Sequence, residues 1–372
     1  VVAAGAALGL VVPPAVASDG GAASRSAPVT VVASGLSDPW SVRFDLRGRL
    51  VVAESGTGEI TRLPKPGQRG GATVLATVPG LAGADTRAAT VLGITSGPPG
   101  GAPDDPNTPP APPPPNPATL FAGAPGTVSP KADLLAYELK ANPDGQVQFV
   151  DGQPVDALSN PFSVLAGLGV GGAPLAYVAD GGANDVLAVA ANGKVSTFFV
   201  PPTVTTGACA QVPNNAAGSF GCDSVPTGLA YGRDLNIYIA AFTAGVPGEG
   251  RVYVVDRRGR LLRTISGFSG PTGVAVGDDG TVYVSELLEG APEGEGPPPA
   301  GFDPTSIGRI VAVAPDGRRS AAQVTMPLGL QWCDGALYST AWSVAGQFGL
   351  APAGGAPVGQ VVKVSKKAFS PL

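Results

Sequence analysis

The side chains in this chain that could do chemistry are oxygen donors. None of its 372 residues is histidine, which excludes Ser-His-Asp and Cys-His catalysis and histidine-ligated zinc, copper or haem. Carboxylate, amide, hydroxyl and lysine chemistry is left, together with hard cations such as Ca2+ that oxygen ligands hold. Two positions stand out. Asp38 and Asn160 each directly precede a proline, and an aromatic residue, Trp40 or Phe162, directly follows it. Three further acids, Glu54, Asp180 and Glu286, each close a short apolar run. If Asp38, Asn160 and one such acid converged, they could hold a calcium ion that polarises a substrate carbonyl. The other duty open to the three acids, and the one we favour for them, is to accept hydrogen bonds from amides of neighbouring loops. Trp40 and Phe162 could stack on a ring-containing ligand or simply pack in the core.

These residues sit in a repeated grammar. The clearest copy runs from Gly270 to Gly317: GPTGVAVGDDGTVYVSE at its start and GRIVAVAPDG at its close. Apolar residues alternate with a period of two on either side of Asp278-Asp279-Gly280, which spells a β-hairpin. Further copies begin at Asp38 (DPWSVRFDLRGRLVVAES), Asn160 (NPFSVLAGLGVGGAPLAYVAD), Val225 (VPTGLAYGRDLNIYIAA) and Met326 (MPLGLQWCDGALYSTA). Each carries a proline at the head of its first strand, where a missing N–H matters least. Repeats of about 40 to 60 residues point to a propeller or solenoid. The gap between the first two copies leaves room for one degenerate copy, so the chain reads as all-β, a six-bladed propeller of four-stranded antiparallel blades over residues 29–372. Val29 to Val32 is expected to close the ring as the outer strand of the last blade.

Blade two is the least legible. Thr90 to Thr95 and Thr119 to Ala122 read as strands, a proline-rich insertion occupies about residues 97–117, and LLAYELKANPDG from Leu134 is expected to resume the strand pattern. Strand order then separates two faces. First-to-second and third-to-fourth turns are tight, whereas second-to-third loops and blade connections hold the insertions, so ligands are expected on that second face. Asp38, Trp40, Asn160, Phe162, Glu54, Asp180 and Glu286 all map to it.

The remaining composition narrows the context. With a net charge of −5 and no cluster of Lys and Arg interleaved with aromatics, nucleic acid is excluded as an expected partner. Residues 1–17 form an apolar run ending Ala15-Val16-Ala17, which reads as the remnant of a signal peptide, followed by a linker over 18–28. The mature chain is expected outside the cytoplasm, with no transmembrane span and a small-molecule or protein ligand. Cys209 and Cys222 flank one loop and read as a disulfide in that setting, with Cys333 buried and unpaired; three free thiols is the other reading.

As a set, GLSDPWSVRFDLRGRLVVAESGTGEI, ADLLAYELKANPDG, SNPFSV, VADGGANDVLAV, VPTGLAYG and GPTGVAVGDDGTVYVSE resemble the ScyD/ScyE family of exported propellers, which carry repeats like those of NHL and gluconolactonase-like propellers. The resemblance spans nearly the whole propeller and implies fold and export; it carries over no catalytic residues. Gluconolactonase-like propellers hold a divalent metal with a Glu before the first-strand proline, two Asn and an Asp. Asp38 and Asn160 fall at comparable positions, whereas Val225, Gly270 and Met326 do not supply the rest. The leading expectation is therefore a ligand-binding or scaffold module without catalysis of its own. The alternative is a Ca2+-assisted hydrolase or lactonase, with Asp38 and Asn160 on the metal and Glu54 or Asp180 as proton acceptor.

Overall fold

The computed structural model describes residues 27–97, 115–150, 153–156, 158–169, 172–214, 218–292, 301–350 and 356–372. Six antiparallel sheets of at least four strands each are built in chain order around one axis. Blade one comprises Pro39–Phe44, Leu50–Glu54, Glu59–Arg62 and Thr73–Thr77; blade two Leu81–Arg87, Thr90–Thr95, Thr119–Gly123 and Ser129–Asp133. Blade three comprises Pro161–Ala166, Ala176–Asp180, Asp185–Val189 and Val195–Phe199; blade four Pro226–Tyr231, Ile237–Ala241, Gly250–Val255 and Leu261–Phe268. Blade five comprises Pro271–Val276, Val282–Glu286, Arg309–Val313 and Arg319–Gln323, with the short C-terminal strand Ser370–Pro371 added at its outer edge. Blade six comprises Leu330–Cys333, Ala336–Ala341 and Gly359–Val364. The first strands of successive blades contact one another in a closed ring.

Blade six is completed by the N-terminal strand Val29–Leu36, which pairs antiparallel with Gly359–Val364 from Val29 opposite Val364 to Leu36 opposite Gly359. The closing strand is longer than the expected Val29 to Val32 and carries two irregularities, between Val31 and Ala33 and between Ser34 and Leu36. Pairing this N-terminal strand with the third strand of blade six leaves no open seam between the first and last blades.

One expected strand is a helix. Leu134–Ala141 is α-helical, capped by the Asp133 carboxylate, which accepts from Ala136 N at 2.8 Å, and ended by Asn142 in the left-handed region with its N–H on Glu138 O. The run is made of good helix formers, and Pro143 follows the cap. Over eight residues an apolar alternation and an i, i+4 pattern look alike; here Leu134 and Glu138, four apart, are the buried pair. A hairpin of Val147–Val150 and Gln153–Asp156 follows before blade three. Cys333 is free but partly exposed, where the sequence suggested burial. The leader, the linker up to residue 26 and most of the proline-rich insertion lie outside the described residues. Among the described residues no helix is long and apolar enough to cross a membrane.

Candidate functional site

The first strand of most blades begins with the same local geometry. The residue before the strand head is left-handed at Asp38, Gly80, Val225 and Gly270, as is Met326 before the proline that leads into blade six, and a bulge follows the head residue in blades one to five. Opposite the head, at the end of the second strand, stand Glu54, Thr95, Asp180, Ala241 and Glu286. The three acids therefore face the backbone of the incoming connection. Glu54 Oε2 accepts from Ser37 N at 2.9 Å, and Glu286 Oε1 accepts from Ser269 N at 2.7 Å. Glu286 Oε2 also pairs with Arg309 Nε at 2.5 Å. Asp180, fully buried, accepts from Asn160 N at 2.6 Å, Ser159 Oγ at 2.5 Å, and Gly182 N and Ala183 N at 3.2 Å each. Burial pushes its carboxyl up to about 6 in spite of those donors. Each acid holds the turn of its own blade, and they do not meet at a common point.

Asp38 and Asn160 have a matching task one blade back. Asp38 Oδ1 accepts from Gly346 N at 2.8 Å, in the second-to-third loop of blade six. Asn160 Oδ1 accepts from Gly97 N at 3.0 Å, at the start of the insertion of blade two. A Cβ at either glycine would overlap its neighbour, Asp38 Oδ2 at Gly346 and Ser159 O at Gly97. The residue before the strand-head proline thus pins the long loop of the preceding blade. Partial burial raises the Asp38 carboxyl above its ordinary range, against the pull of the Gly346 N–H.

Trp40 and Phe162 do come together. Their ring centroids are 4.9 Å apart with the planes tilted by 52°, and Trp40 Nε1 donates to Phe162 O at 3.0 Å. Both are partly exposed and pack on an apolar cluster that includes Met326, Leu328 and Val344, with Phe302 and Trp342 at its edge. They form the floor of the insertion-bearing face.

Beneath them the axis is nearly closed. The channel cavity measures about 20 Å3 and is lined by first-strand residues such as Ser41, Arg43, Gly228, Gly273 and Gly329, room for about one water. A Cβ at Gly228 would meet Gly273 Cα at 2.8 Å, and one at Gly329 would meet Ser41 Cα at 2.8 Å. Small residues at these positions let neighbouring backbones touch around the axis. Arg43 crosses the remaining space. Its Nη1 donates to Leu330 O of blade six at 3.1 Å and its Nη2 to Leu229 O of blade four at 3.2 Å. Its Nε stands 3.6 Å from Asp85 Oδ2 of blade two, which accepts from Ala166 N of blade three at 2.8 Å. Sequence reasoning missed this plug. Its only signal is a lone arginine at a position where the other copies carry Leu165, Ala230, Ala275 or Gln331.

The opposite, tight-turn face carries a larger open groove of about 440 Å3 between blades one and two, edged by Arg47, Arg49, Arg62, Thr86 and Thr90. On the insertion face, Cys209 and Cys222 are disulfide-bonded with Cα atoms 5.2 Å apart, and together with Val204 they form a small buried cluster in the connection to blade four.

No protein-family profile matches this chain, and no curated protein sequence does. Solved structures are similar in fold. Virginiamycin B lyase from Staphylococcus aureus shares 11% identity over 92% of this chain and 86% of its own, with a TM-score of 0.46. The PQQ-bound aldose sugar dehydrogenase from Streptomyces coelicolor shares 12% over 90% of this chain and 97% of its own, with a TM-score of 0.49. A nidogen/laminin complex matches at 12% over 77% of this chain and 84% of the other, with a TM-score of 0.44. At such identities the likeness concerns architecture alone.

Proposed function

We propose that this chain is an exported propeller of the ScyD/ScyE type that binds a small ligand bearing an apolar or aromatic ring on its insertion-bearing face, without catalysis of its own. The observation that carries this reading is the Trp40–Phe162 pair. The two rings are partly exposed, held in fixed geometry by the indole hydrogen bond, and continuous with an apolar cluster. A pre-set aromatic floor lowers the ordering cost of binding. With Arg43 across the axis, a ligand rests on the face and does not thread the channel. Export is supported by the Cys209–Cys222 bond, since disulfides persist in oxidising compartments.

The calcium-assisted lactonase reading has less support, because Asp38 Oδ1 and Asn160 Oδ1 already accept loop N–H groups. The test is a fluorescence titration of the secreted protein with a panel of indoles, phenols and aryl glycosides. Saturable quenching that disappears in Trp40→Ala and weakens in Phe162→Ala is expected. Binding unchanged in both variants would remove the site, and lactone turnover that requires calcium and Asp38 would favour the hydrolase instead.

A further inference from the structure

A buried acidic group lies on the insertion face, away from the aromatic floor. Glu138 projects from the helix Leu134–Ala141, and Asp185 opens the third strand of blade three. Glu138 is 1% exposed and Asp185 is 0% exposed. Apart from one another's carboxyl, Glu138 Oε1 and both oxygens of Asp185 have no hydrogen-bond donor among the described residues. The two carboxylates act directly on one another, and Asp180 and Asp144 add negative charge to both. No Lys or Arg is among the groups that act on either.

The two flanking acids are already engaged. Asp180 accepts from four donors. Asp144 accepts from Gln146 N at 3.0 Å and from Asn184 Nδ2 at 3.2 Å. Glu138 and Asp185 are left as a pair of buried carboxyls with no Lys or Arg acting on them, an arrangement that is costly in its ionised form unless something else enters. A shared proton can bridge only two of the three donorless oxygens, and it leaves net negative charge beside Asp180. A divalent cation offsets the charge and engages all three.

We propose that Glu138 and Asp185 bind one hard divalent cation, with calcium as the fitting ion, and that it clamps the helix to blade three. No three His, Cys, Asp or Glu side chains among the described residues stand in metal-ligand geometry. Among the described residues the other coordination positions therefore fall to amide, carbonyl and water oxygens, which suits an ion that takes six to eight oxygen ligands. This site is separate from the Trp40 floor and from Asp38, so it stands or falls independently of the proposed ligand.

The experiment uses the full folded chain after dialysis against EDTA, with calcorimetric calcium titration and thermal melts in calcium or EDTA. The expected result is one calcium per chain and a melting temperature raised by about 3 °C at saturating calcium. Asp185→Asn and Glu138→Gln should each abolish both responses while melting in EDTA no lower than the parent, because each replaces a buried ionisable group with a neutral one of the same shape. Asp38→Ala, and Asp316→Asn on an exposed turn of the opposite face, should leave both responses intact. Absence of heat and of any melting shift in the parent overturns the proposal. So does a calcium response that survives in both Asp185→Asn and Glu138→Gln. If one of these variants does not fold, the other and the parent response decide it.

Discussion

Arg43 Nε and Asp85 Oδ2 stand 3.6 Å apart inside the ring, with both side chains less than a tenth exposed. Through them blade one is tied to blades two, three, four and six. Burial pushes the Asp85 carboxyl up despite the nearby guanidinium, and it lowers the Arg43 pKa as well. Desolvation therefore outweighs attraction at both partners, and the pair is a poor source of net stability but a costly one to break. Arg43→Met should destabilise by about 3–5 kcal/mol in denaturant unfolding, since it strands a buried carboxylate. Part of that loss should be recovered as pH falls and Asp85 protonates. The double variant Arg43→Met with Asp85→Leu should unfold later than Arg43→Met alone; equal midpoints would mean the two groups are not coupled.

Gly273 is required for the inner strands to touch. A Cβ there would overlap Leu328 O and stand 2.8 Å from Ser285 Oγ. Gly273→Ala should cost about 1–3 kcal/mol by overpacking, whereas Gly317→Ala, in open space on a turn at φ 87°, tests backbone strain alone. Urea midpoints of the two variants separate the two effects.

The Cys209–Cys222 bond spans a sequence separation of 13. On the chain-entropy model a loop of that size contributes about 3 kcal/mol. The unreduced protein should titrate with one free thiol, Cys333, and the paired Cys209→Ser and Cys222→Ser variant should melt several degrees lower, by about 3–6 °C. A count of three thiols before reduction would contradict the bond.

The pH dependence of the calcium-free protein follows from Glu138. Burial, then the charges of Asp180 and Asp144, push its carboxyl up to about 8 from 4.5, and Asp185 moves the same way. Between these values the folded state holds protons that the unfolded state has released, so stability falls as pH rises from about 4.5 to about 8. Melts in EDTA across that window should slope downward, and Glu138→Gln should flatten the slope. A slope unchanged in Glu138→Gln would show that other groups cause it.

Turning the lone Asp38 anchor into alanine tests the loop role. Asp38→Ala frees the Gly346 N–H and should expose the blade-six loop to limited proteolysis, with a stability loss of about 1–2 kcal/mol. Unchanged cleavage there would mean the loop is held by its apolar contacts alone.

The sequence by itself determined the ring. Strand alternation, Gly-bearing turns and a proline at the head of each recognisable first strand are local signals, because a strand's period of two and a turn's positive φ are properties of a few adjacent residues. Even closure by Val29 onward was legible, since the last copy lacked a fourth strand. The helix at Leu134–Ala141 was not, because eight residues are too few for the two periods to separate. The tertiary structure alone decided what the polar side chains do. Glu54, Asp180 and Glu286 look like a pseudosymmetric set of ligands in one dimension, yet each is used by its own blade's incoming backbone. Asp38 and Asn160 are turned to the loops of the preceding blades. Arg43 meets Leu229 and Leu330, and Glu138 meets Asp185, across sequence separations that no local pattern encodes. Ring closure brings blades one, four and six to one axis, and only then does a carboxylate or guanidinium acquire its partners, its burial and its charge state.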